Sequence, residues 1–510
     1  MSGNIIGIFL DVAARHGRRP AIIQGDRVVT YEQMLADVRR IAGYLRRRGL
    51  QPGSRVLIFV PMSIDLYEIL LGVFYLGGVA VFIDAWADRK RLAAACRMAS
   101  PDMFIGTARA QLLRLLSSQI RAIPVKLRSN VSAWNSEGLF PDHMPVDPDM
   151  PALVTFTTGS TGTPKGARRS HRFLVAQHHA LMESLPADAD DIDMPVLPVF
   201  TLSNLAAGIT TVIPPVDPRS VEEFDPAAVV RDIRRWSVTS SSGSPAFYKR
   251  LAEHCLAQNA ELPTLRRIFT GGAAVFPRLA ELMLNAFPTT ETTIVYGSTE
   301  AEPISTVPAS EFARRTGGSS KEGLLAGRPV KAIEVAIVPI TDGPVELREG
   351  EGMESLALPA DAAGEICVAG NHVLREYYGG EEIIRATKIR DGERLWHRTG
   401  DAGYLTREGE LFLLGRARQS FQHQGRRIFP FPIEMRLQAV RGVVIGTILK
   451  IGDRLVIVVE PEKDADQDGI ESGIRDSNIP FDEIRVVDAI PRDPRHNSKI
   501  DYEKLKGIIE

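Results

Sequence analysis

The sequence Thr157-Thr158-Gly159-Ser160-Thr161-Gly162-Thr163-Pro164-Lys165-Gly166 predicts a phosphate-binding loop. It follows an apolar, β-prone run from Ala152 to Phe156. Glycines let backbone N–H groups approach a phosphate closely, hydroxyl side chains donate to its oxygens, and a lysine supplies positive charge. The spacing differs from that of a P-loop, since Lys165 stands between Pro164 and Gly166. The alternative for this segment taken alone is a linker rich in Ser, Thr and Gly.

The overall composition indicates a soluble protein with more than one domain. At 510 residues the chain exceeds what one hydrophobic core usually serves, so we expect two or more domains. Apolar residues make up 44% and charged residues 24%, as in ordinary globular proteins. The net charge of −2 gives no reason to expect nucleic acid as a partner. The arginine cluster between Arg39 and Arg48 is interpreted as a solvated helix face.

Targeting and redox features favour a cytoplasmic protein. The first five residues lack a basic segment followed by an apolar stretch, so no signal peptide is predicted. The longest uncharged apolar run, Ile69 to Ile83, has 15 residues. It is shorter than the ~20 residues that span a bilayer and predicts a helix end that runs into a buried strand. Cys96, Cys255 and Cys367 are far apart and odd in number, which predicts neither disulfides nor a metal site.

Strand-like and helix-like stretches alternate along most of the chain, which predicts layered α/β structure. Near the start, Thr30 and Gln33 are a predicted capping box for a helix that reaches Arg48. A strand is predicted directly after it, at Arg55 to Val60.

Two more predicted strands end in glycine turns. They cover residues 265–270 and 292–295, and the turns are at Gly271 and Gly297. Ligands of open α/β sheets bind beyond the carboxyl ends of the strands. We therefore expect the loop at 157–166 and both glycine turns to lie at such ligand-binding places.

A change in character after Gly415 predicts a domain boundary. The 95 residues from 416 to 510 are enough for a small α+β module, with strand candidates at 443–449 and 455–459. We expect a large domain at 1–415 and a small domain at 416–510, divided at the sequence Gly415-Arg416-Ala417-Arg418.

Seven segments, taken in their order, resemble the motifs of the adenylate-forming superfamily. This superfamily includes acyl-CoA ligases, luciferases and the adenylation domains of nonribosomal peptide synthetases. The segments are 157–166, Gly271-Gly272-Ala273, Tyr296-Gly297-Ser298-Thr299-Glu300, 364–368, Thr399-Gly400-Asp401, Gly415-Arg416 and Asn497-Ser498-Lys499-Ile500. One such match is weak, whereas seven in order are not expected by chance.

The resemblance implies a fold and a reaction. The fold is α/β, with a large N-terminal domain of layered α/β subdomains and a small mobile α+β C-terminal domain that carries a catalytic lysine. In the reaction, a carboxylate oxygen attacks the α-phosphate of ATP, which gives an acyl-AMP and pyrophosphate. Two anions must approach each other, so catalysis depends mainly on positioning and charge stabilisation.

The resemblance also implies a role for each motif residue. Lys499 bridges the carboxylate and α-phosphate oxygens, Thr299 hydrogen-bonds the α-phosphate, and Glu300 holds Mg²⁺, a hard cation suited to oxygen ligands. Tyr296 stacks on adenine, and Asp401 accepts from both ribose hydroxyls. The implied ATP-binding set is Thr157, Thr158, Gly159, Ser160, Thr161, Gly162, Thr163, Lys165, Gly271, Gly272, Ala273, Tyr296, Gly297, Asp401 and Arg416. Each residue alone has an ordinary structural alternative, so the functional interpretation depends on their joint presence.

Different parts of the resemblance imply different acceptors of the acyl group. In acyl-CoA ligases the small domain turns about a hinge, here Arg418, and CoA takes the acyl group. In β-lactone synthetases of the olefin-biosynthesis type, the hydroxyl of a 3-hydroxy acid displaces AMP and no CoA is needed. Four segments resemble the second group, namely 296–303, 337–344, 395–401 and 493–497.

Departures from the ligase pattern favour the lactone interpretation. Many ligases carry Pro-x-x-His after the phosphate loop, whereas here Thr201 follows Pro198 at that spacing. Pro432 stands where ligases usually have the first acidic residue after the glycine at 425. We therefore predict ATP- and Mg²⁺-dependent adenylation of a fatty or 3-hydroxy fatty acid, followed by β-lactone closure. Thioester formation on CoA is the alternative, and other enzymes of an acyl-chain pathway are candidate partners.

Two other functions have less support. A luciferase-like oxidation has no positive sign in the sequence. A catalytically silent binding protein on this fold would not need Lys165, Glu300, Asp401, Arg416 and Lys499 together.

The acyl pocket is predicted between residues 245–248 and the turn at 271–275. Phe247 and Tyr248 have plain helix packing as an equal alternative. Four histidines show no metal-ligand spacing, and we interpret the first three as helix residues and the last as a candidate phosphate contact: His171, His178, His179 and His496.

Overall fold

The computed structural model describes residues 3–83, 88–135, 140, 142–158, 164–217, 223–316, 323–492 and 499–510. Helices and strands alternate through the first three hundred residues, as the sequence predicts. The helices are α1 (Ile6–His16), α2 (Tyr31–Arg47), α3 (Ile64–Tyr75), α4 (Arg89–Ala99), α5 (Leu113–Leu116), α6 (Ser118–Ala122), α7 (His171–Ser184), α8 (Pro198–Ala207), α9 (Pro226–Arg235), α10 (Pro245–Gln258), α11 (Pro277–Ala286), α12 (Ala309–Thr316), α13 (Glu381–Thr387), α14 (Pro430–Ala439), α15 (Gln467–Asp476) and α16 (Tyr502–Ile509). The strands are β1 (Pro20–Gln24), β2 (Arg27–Thr30), β3 (Arg55–Phe59), β4 (Val79–Ile83), β5 (Met103–Gly106), β6 (Val125–Arg128), β7 (Pro151–Thr158), β8 (Pro164–Ser170), β9 (Ile192–Pro195), β10 (Thr210–Val212), β11 (Ser240–Gly243), β12 (Arg267–Gly271), β13 (Glu291–Ser298), β14 (Ala301–Pro308), β15 (Leu324–Pro329), β16 (Glu334–Val338), β17 (Gly364–Ala369), β18 (Glu376–Tyr378), β19 (Lys388–Asp391), β20 (Arg394–Leu405), β21 (Leu411–Arg416), β22 (Phe421–His423), β23 (Arg426–Ile428), β24 (Val443–Ile451), β25 (Arg454–Pro461) and β26 (Glu483–Val486).

Two large sheets form the body of the molecule. In the described part of the chain, one has seven strands in the order β18-β8-β7-β4-β3-β5-β6. The other has fourteen, in the order β16-β17-β20-β21-β15-β14-β13-β12-β11-β9-β10-β1-β2, with β19 paired to β20. Strands β3 to β7 run parallel to one another in the first sheet, and β9 to β13 do so in the second. Parallel strands need cover on both faces, which the helices provide.

The largest buried cluster includes α1, α2 and α3 and strands of both sheets. Helix α3 is mostly apolar and buried on nearly every side, with Tyr67 and Phe74 each only 1% exposed. Helix α3 ends at Tyr75, and Gly77 turns the chain into β4 with a φ of +69°. The predicted helix end that runs into a buried strand is therefore confirmed.

Local signals near the N-terminus agree with the structure, with one exception. The Thr30 side chain accepts from the amide of Gln33, whose own side chain accepts from the Thr30 amide, so the predicted capping box starts α2. The arginine cluster is only partly solvated, because the Arg40 guanidinium is half-buried and donates to the carbonyls of Val131 at 2.6 Å and Trp134 at 2.8 Å. The solvated-face interpretation is wrong for that residue.

The strand predicted at 265–270 begins two residues later in the structure, at Arg267. The Leu265 amide donates to the Leu262 carbonyl in a turn, so β12 begins at Arg267. The three cysteines are free and buried. None of the helices within the described ranges has the length and apolarity that crossing a membrane requires.

The chain after Gly415 forms a small α+β unit around the sheet β24-β25-β26. Gly415 has a φ of +119°, and a Cβ there would stand 3.0 Å from the Pro430 ring at the start of α14, so glycine suits this position. The unit touches the larger part through Arg278, which donates to the Val443 carbonyl at 2.7 Å. The division into 1–415 and 416–510 stays a prediction.

Candidate active site

One cavity of about 2200 Å³ is lined by many of the predicted site residues, although Gly271 is not among them. Its polar part is lined by Tyr296, Glu300, Asp401 and Arg416 and is called the nucleotide end below. Its other part lies among α1, α3, α7 and α8 and is called the apolar end. The nucleotide end lies beyond the carboxyl ends of β12 and β13, as expected for ligands of α/β sheets.

A bonded group of side chains forms one wall of the nucleotide end. The Tyr296 hydroxyl donates to Asp401 Oδ2 at 2.9 Å, and Arg416 Nη1 lies 3.1 Å from Asp401 Oδ1. Burial, and then the charge of Asp401, raise the pKa of Tyr296 well above its usual value, so the phenol stays protonated and can donate. Arg398 and Glu365 form a buried ion pair at 2.5 Å that joins β20 to β17 just before the turn at 399–401.

Glycines leave space on the opposite wall. A Cβ on Gly271 would stand 2.5 Å from the Val295 carbonyl oxygen, so a side chain there would separate β12 from β13. Gly272 has a φ of +84°, and its missing side chain faces open space. Gly272 and Ala273 both line the cavity, which is consistent with their predicted position beside adenine.

The turn between β13 and β14 carries Thr299 and Glu300 to the cavity. Several contacts fix this turn. Arg169 donates to the Thr299 carbonyl at 3.0 Å, the Leu374 amide donates to the Glu300 carbonyl at 2.7 Å, and the Tyr377 hydroxyl donates to Glu300 Oε1 at 3.1 Å. Glu300 is thereby held both by its main chain and by its carboxylate.

The predicted phosphate loop joins β7 and β8, an antiparallel pair in which Thr157 faces Lys165. Thr157 and Thr158 are the last two residues of β7, while Gly159, Ser160, Thr161, Gly162 and Thr163 lie outside the described residues. Lys165 lines the cavity. Burial lowers its pKa and the charge of Glu300 raises it, with the first effect larger, so the lysine ammonium lies within electrostatic reach of Glu300.

Two cations of the small unit reach the same cavity. Lys499 and Arg418 both line it, and Arg418 belongs to a short helical turn directly after β21. His496 lies outside the described residues, so its predicted phosphate contact stays a prediction. Pro432 is buried in the first turn of α14, where it offers no acidic group.

Sequence reasoning missed the support behind Glu300. Lys388 is only 4% exposed, donates to the Leu374 carbonyl and stands 5.5 Å from the centre of the Tyr377 ring. Burial lowers the pKa of Lys388 to about 7. It therefore supports the segment that bonds to Glu300 by both main chain and side chain. No local sequence pattern marks this lysine.

The apolar end is lined mainly by aliphatic and aromatic side chains of four helices. Examples are Phe9 of α1, Leu70 and Phe74 of α3, Leu174 of α7 and Leu202 of α8. His178 and Ser203 also line it, and they bond to each other at 2.9 Å in a buried pair. Burial lowers the pKa of His178 to about 4, so this imidazole is neutral at physiological pH.

The predicted position of the acyl pocket is partly wrong. The turn at 272–276 lines the cavity, but residues 245–248 do not. Phe247 and Tyr248 are fully buried, and Phe247 stacks on Phe224 with ring centres 4.9 Å apart. They are packing residues of a core cluster, because α10 covers the sheet face away from the cavity lining. Helices α1 and α3 contribute the wall instead.

Three of the four histidines lie in a helix, as predicted. His171 starts α7 and His178 and His179 lie within it. Among the described residues, no three His, Cys, Asp or Glu side chains are grouped so that they could hold a metal. Glu300 supplies a carboxylate at the nucleotide end, and Mg²⁺ typically takes one or two protein carboxylates together with phosphate oxygens and waters. The residues present therefore fit a phosphate-bound Mg²⁺.

Comparison with known proteins agrees with this geometry. The sequence profile of the family described as AMP-binding enzyme matches residues 9–378. An olefin beta-lactone synthetase of Stenotrophomonas maltophilia (strain K279a) is 30% identical, over 96% of this chain and 93% of that protein. A fatty acid–[acyl-carrier-protein] ligase, ScoC of Streptomyces coeruleorubidus, is 28% identical over 85% of this chain and 81% of its own.

Solved structures share the fold. ATP-bound MatB from Rhodopseudomonas palustris superposes with a TM-score of 0.83 at 22% identity, over 100% of this chain and 99% of that one. The α/β architecture with a large N-terminal and a small C-terminal part is therefore confirmed.

Proposed function

The chain belongs to the AMP-binding enzyme family, and we propose that it adenylates a fatty 3-hydroxy acid with ATP and then closes the acyl-AMP to a β-lactone. One observation carries the proposal. A single cavity of about 2200 Å³ joins a polar end to an apolar end. Sites for one small ligand measure about 300–1000 Å³, so this cavity has room for a nucleotide and a long apolar acid together.

At the nucleotide end, Asp401 receives the ribose hydroxyls and Arg416 and Tyr296 hold its carboxylate in position. Their bonds of 3.1 and 2.9 Å exist in the protein alone, so the acceptor is oriented before ATP binds. Gly272 and Ala273 lie beside the adenine, where Gly272 leaves open space, and Gly271 keeps β12 close to β13 behind them. The loop from Thr157 to Lys165 holds the β- and γ-phosphates.

Glu300 would hold Mg²⁺, which would neutralise phosphate charge. Tyr377 and the backbone bond from Leu374 keep this carboxylate in one orientation. Thr299 donates to the α-phosphate beside it. Such fixed donors and charges stabilise the charge that develops during phosphoryl transfer.

Lys499 places a positive charge where the two anions meet. The carboxylate oxygen bonds to the α-phosphorus, the bond to the pyrophosphate oxygen breaks, and the acyl-AMP forms. In the second step the 3-hydroxyl oxygen bonds to the acyl carbon, the carbon–oxygen bond to AMP breaks, and the hydroxyl proton is released. Turning of the small domain 416–510 about Arg418 would remove Lys499 between these steps.

The lactone step is supported by the similarity to an olefin beta-lactone synthetase over 93% of that protein's length. Thr201 stands in the ligase histidine's place and is fully buried, and Pro432 stands in place of a ligase acid. Both positions lack the ionisable groups of the ligase pattern. The relative ScoC, named a ligase for an acyl carrier protein, makes transfer to a thiol the second candidate.

The test supplies ATP, Mg²⁺ and 3-hydroxy acids of several chain lengths, without CoA. We expect AMP release and a product 18 mass units lighter than the acid, the loss of one water on lactone closure. The matched acid without the hydroxyl should exchange pyrophosphate but give no lactone. Turnover that requires CoA and yields a thioester would reject the lactone proposal and favour the ligase.

A further inference from the structure

A carboxylate in the cavity has no place in the scheme above. Glu302 follows the turn that carries Thr299 and Glu300, and it lines the same cavity. None of the residues that the structure describes donates a hydrogen bond to its carboxylate. Its main-chain carbonyl accepts from the Gln177 amide at 3.5 Å, so only the backbone is engaged.

The position of Glu302 is set by the β13–β14 hairpin. Ser298 pairs with Ala301 across the turn, which puts Glu302 beside Gly297. A Cβ on Gly297 would lie 3.2 Å from Glu302 Cγ, so the glycine makes room for the glutamate stem. Arg169 lies within electrostatic reach of this carboxylate and donates to the Thr299 carbonyl at 3.0 Å. Glu302 thus stands between the phosphate-binding turn and the start of the apolar end.

The side chains that line the apolar end near α7 and α8 include a bonded polar pair and aliphatic groups. His178 and Ser203 are bonded to each other at 2.9 Å. Leu174 and Leu202 offer only hydrocarbon. Glu302 is half-buried and lines the cavity, so its carboxylate is open to a hydrogen-bond donor on a bound ligand.

The chemistry of the substrate supplies such a group. The acid's carboxyl carbon must lie beside Thr299 and Lys499 for adenylation, and the carbon bearing the 3-hydroxyl is only two bonds away. The hydroxyl therefore falls near the border between the two ends of the cavity. A hydroxyl buried there without an acceptor would lose its hydrogen bonds to water.

We propose that Glu302 forms a hydroxyl subsite, in which its carboxylate accepts a hydrogen bond from the 3-hydroxyl of the acid. The proposal rests on the proposed function, because a 3-hydroxyl is required for lactone closure. The subsite selects 3-hydroxy acids over plain fatty acids during adenylation. It also aims the O–H bond away from the acyl carbon and leaves an oxygen lone pair facing that carbon. Glu302 is thus a specificity-determining residue that acts before ring closure.

The experiment measures kcat/KM for pyrophosphate exchange with a 3-hydroxy acid and with the matched acid that lacks the hydroxyl. The wild type should favour the hydroxy acid. Glu302→Leu should reduce this preference by about tenfold or more, because leucine offers the hydroxyl no hydrogen-bond acceptor. Glu302→Gln keeps an acceptor oxygen and should retain most of the preference. The control Glu281→Leu changes an exposed glutamate on α11 and should retain the full preference.

Each outcome supports or rejects the hydroxyl subsite or lactone closure. An unchanged preference in Glu302→Leu overturns the subsite. If Glu302→Leu does not bind ATP, the smaller Glu302→Ala takes its place, and calorimetric affinity for the two acids replaces the exchange assay. If the wild type forms no lactone but its preference for the hydroxy acid falls in Glu302→Leu, the subsite is retained and lactone closure is rejected. A wild type that forms lactone, with no change of preference in the variants, retains the function and rejects the subsite.

Discussion

The two ends of the cavity are built in different ways. At the nucleotide end, polar side chains are bonded to one another before any ligand arrives, as in the contacts of Asp401 with Tyr296 at 2.9 Å and Arg416 at 3.1 Å. At the apolar end, packed helices supply a surface of methyl groups and rings such as Leu70 and Phe74, with few polar atoms. The nucleotide end fixes the orientation of its polar groups, and the apolar end fixes the shape of the space for the acid.

We therefore expect a substitution at the nucleotide end to change the rate with every acid, and a substitution at the apolar end to change which acids are used. Hydrogen bonds have a direction, so the loss of one polar partner leaves others unsatisfied and affects every substrate. Burial of apolar surface has no direction and depends on fit, so a change of size affects some acids more than others. The four predictions below test this division, from the largest expected effect to the smallest.

Lys499→Ala should reduce pyrophosphate exchange by about 10²–10³-fold for every acid, because it removes a charge aimed at the reacting centre. The affinity for ATP, measured by calorimetry, should change little. Lys506→Ala on α16 is the control, since Lys506 is half-exposed and pairs with Glu510. Wild-type exchange in Lys499→Ala would remove this lysine from the mechanism.

Asp401→Ala should weaken ATP binding by roughly 100-fold, because two charge-assisted hydrogen bonds to ribose are lost. It also leaves Tyr296 and Arg416 without their shared partner. Binding of the acid alone should be unaffected. Glu334→Ala breaks an exposed ion pair with Arg394 at 2.9 Å and should bind ATP normally. Equal ATP affinity in the two variants would contradict the ribose assignment.

Lys388→Met should raise the Mg²⁺ concentration for half-maximal exchange by roughly tenfold, as expected when support behind a metal-binding carboxylate is lost. Methionine preserves the volume and burial of the side chain, so the fold should persist. Tyr377→Phe removes only the 3.1 Å bond to Glu300 and should show a smaller shift in the same direction. If the maximal rate changes but the Mg²⁺ concentration for half-maximal exchange does not, Lys388 contributes only to packing.

Leu70→Trp should leave exchange with short acids near the wild-type rate and reduce it several-fold to tenfold for the longest acids. Leu70 is 3% exposed and faces the apolar end, so the larger ring shortens the available space. The control is Leu256→Trp on α10, at a 42% exposed leucine outside the cavity lining. An equal loss across all chain lengths would mean that the acyl chain lies elsewhere.

The sequence predicted those parts of the fold and site that depend on neighbouring residues. The capping box at Thr30, the strand at Arg55 and the transition from α3 to β4 are all set by local signals. The motif turns at Gly272 and Glu300 converge on one cavity because strand ends of one sheet meet at one edge.

Other parts depend on contacts that no local pattern contains. Tyr377 bonds to Glu300, and Lys388 bonds to the segment that holds Glu300. Both are more than seventy residues from Glu300 along the chain and look like ordinary strand residues in sequence. The apolar wall was missed for the same reason, since α3 has the composition of any fully buried helix. Phe247 and Tyr248 were candidates because their chemistry suits a pocket, yet tertiary packing buries them in a core.

Helix α1 gives the cavity a wall made from the first residues of the chain, with Ile6 and Phe9 facing inward. The wall is fastened through Asn4, whose amide donates to the carbonyls of Phe74 at 2.7 Å and Met144 at 3.1 Å. Purification handles, protease scars and trimmed leaders all alter this same stretch. A preparation tagged ahead of Gly3 should therefore be compared with a tag-free one before any acid preference is attributed to the enzyme itself.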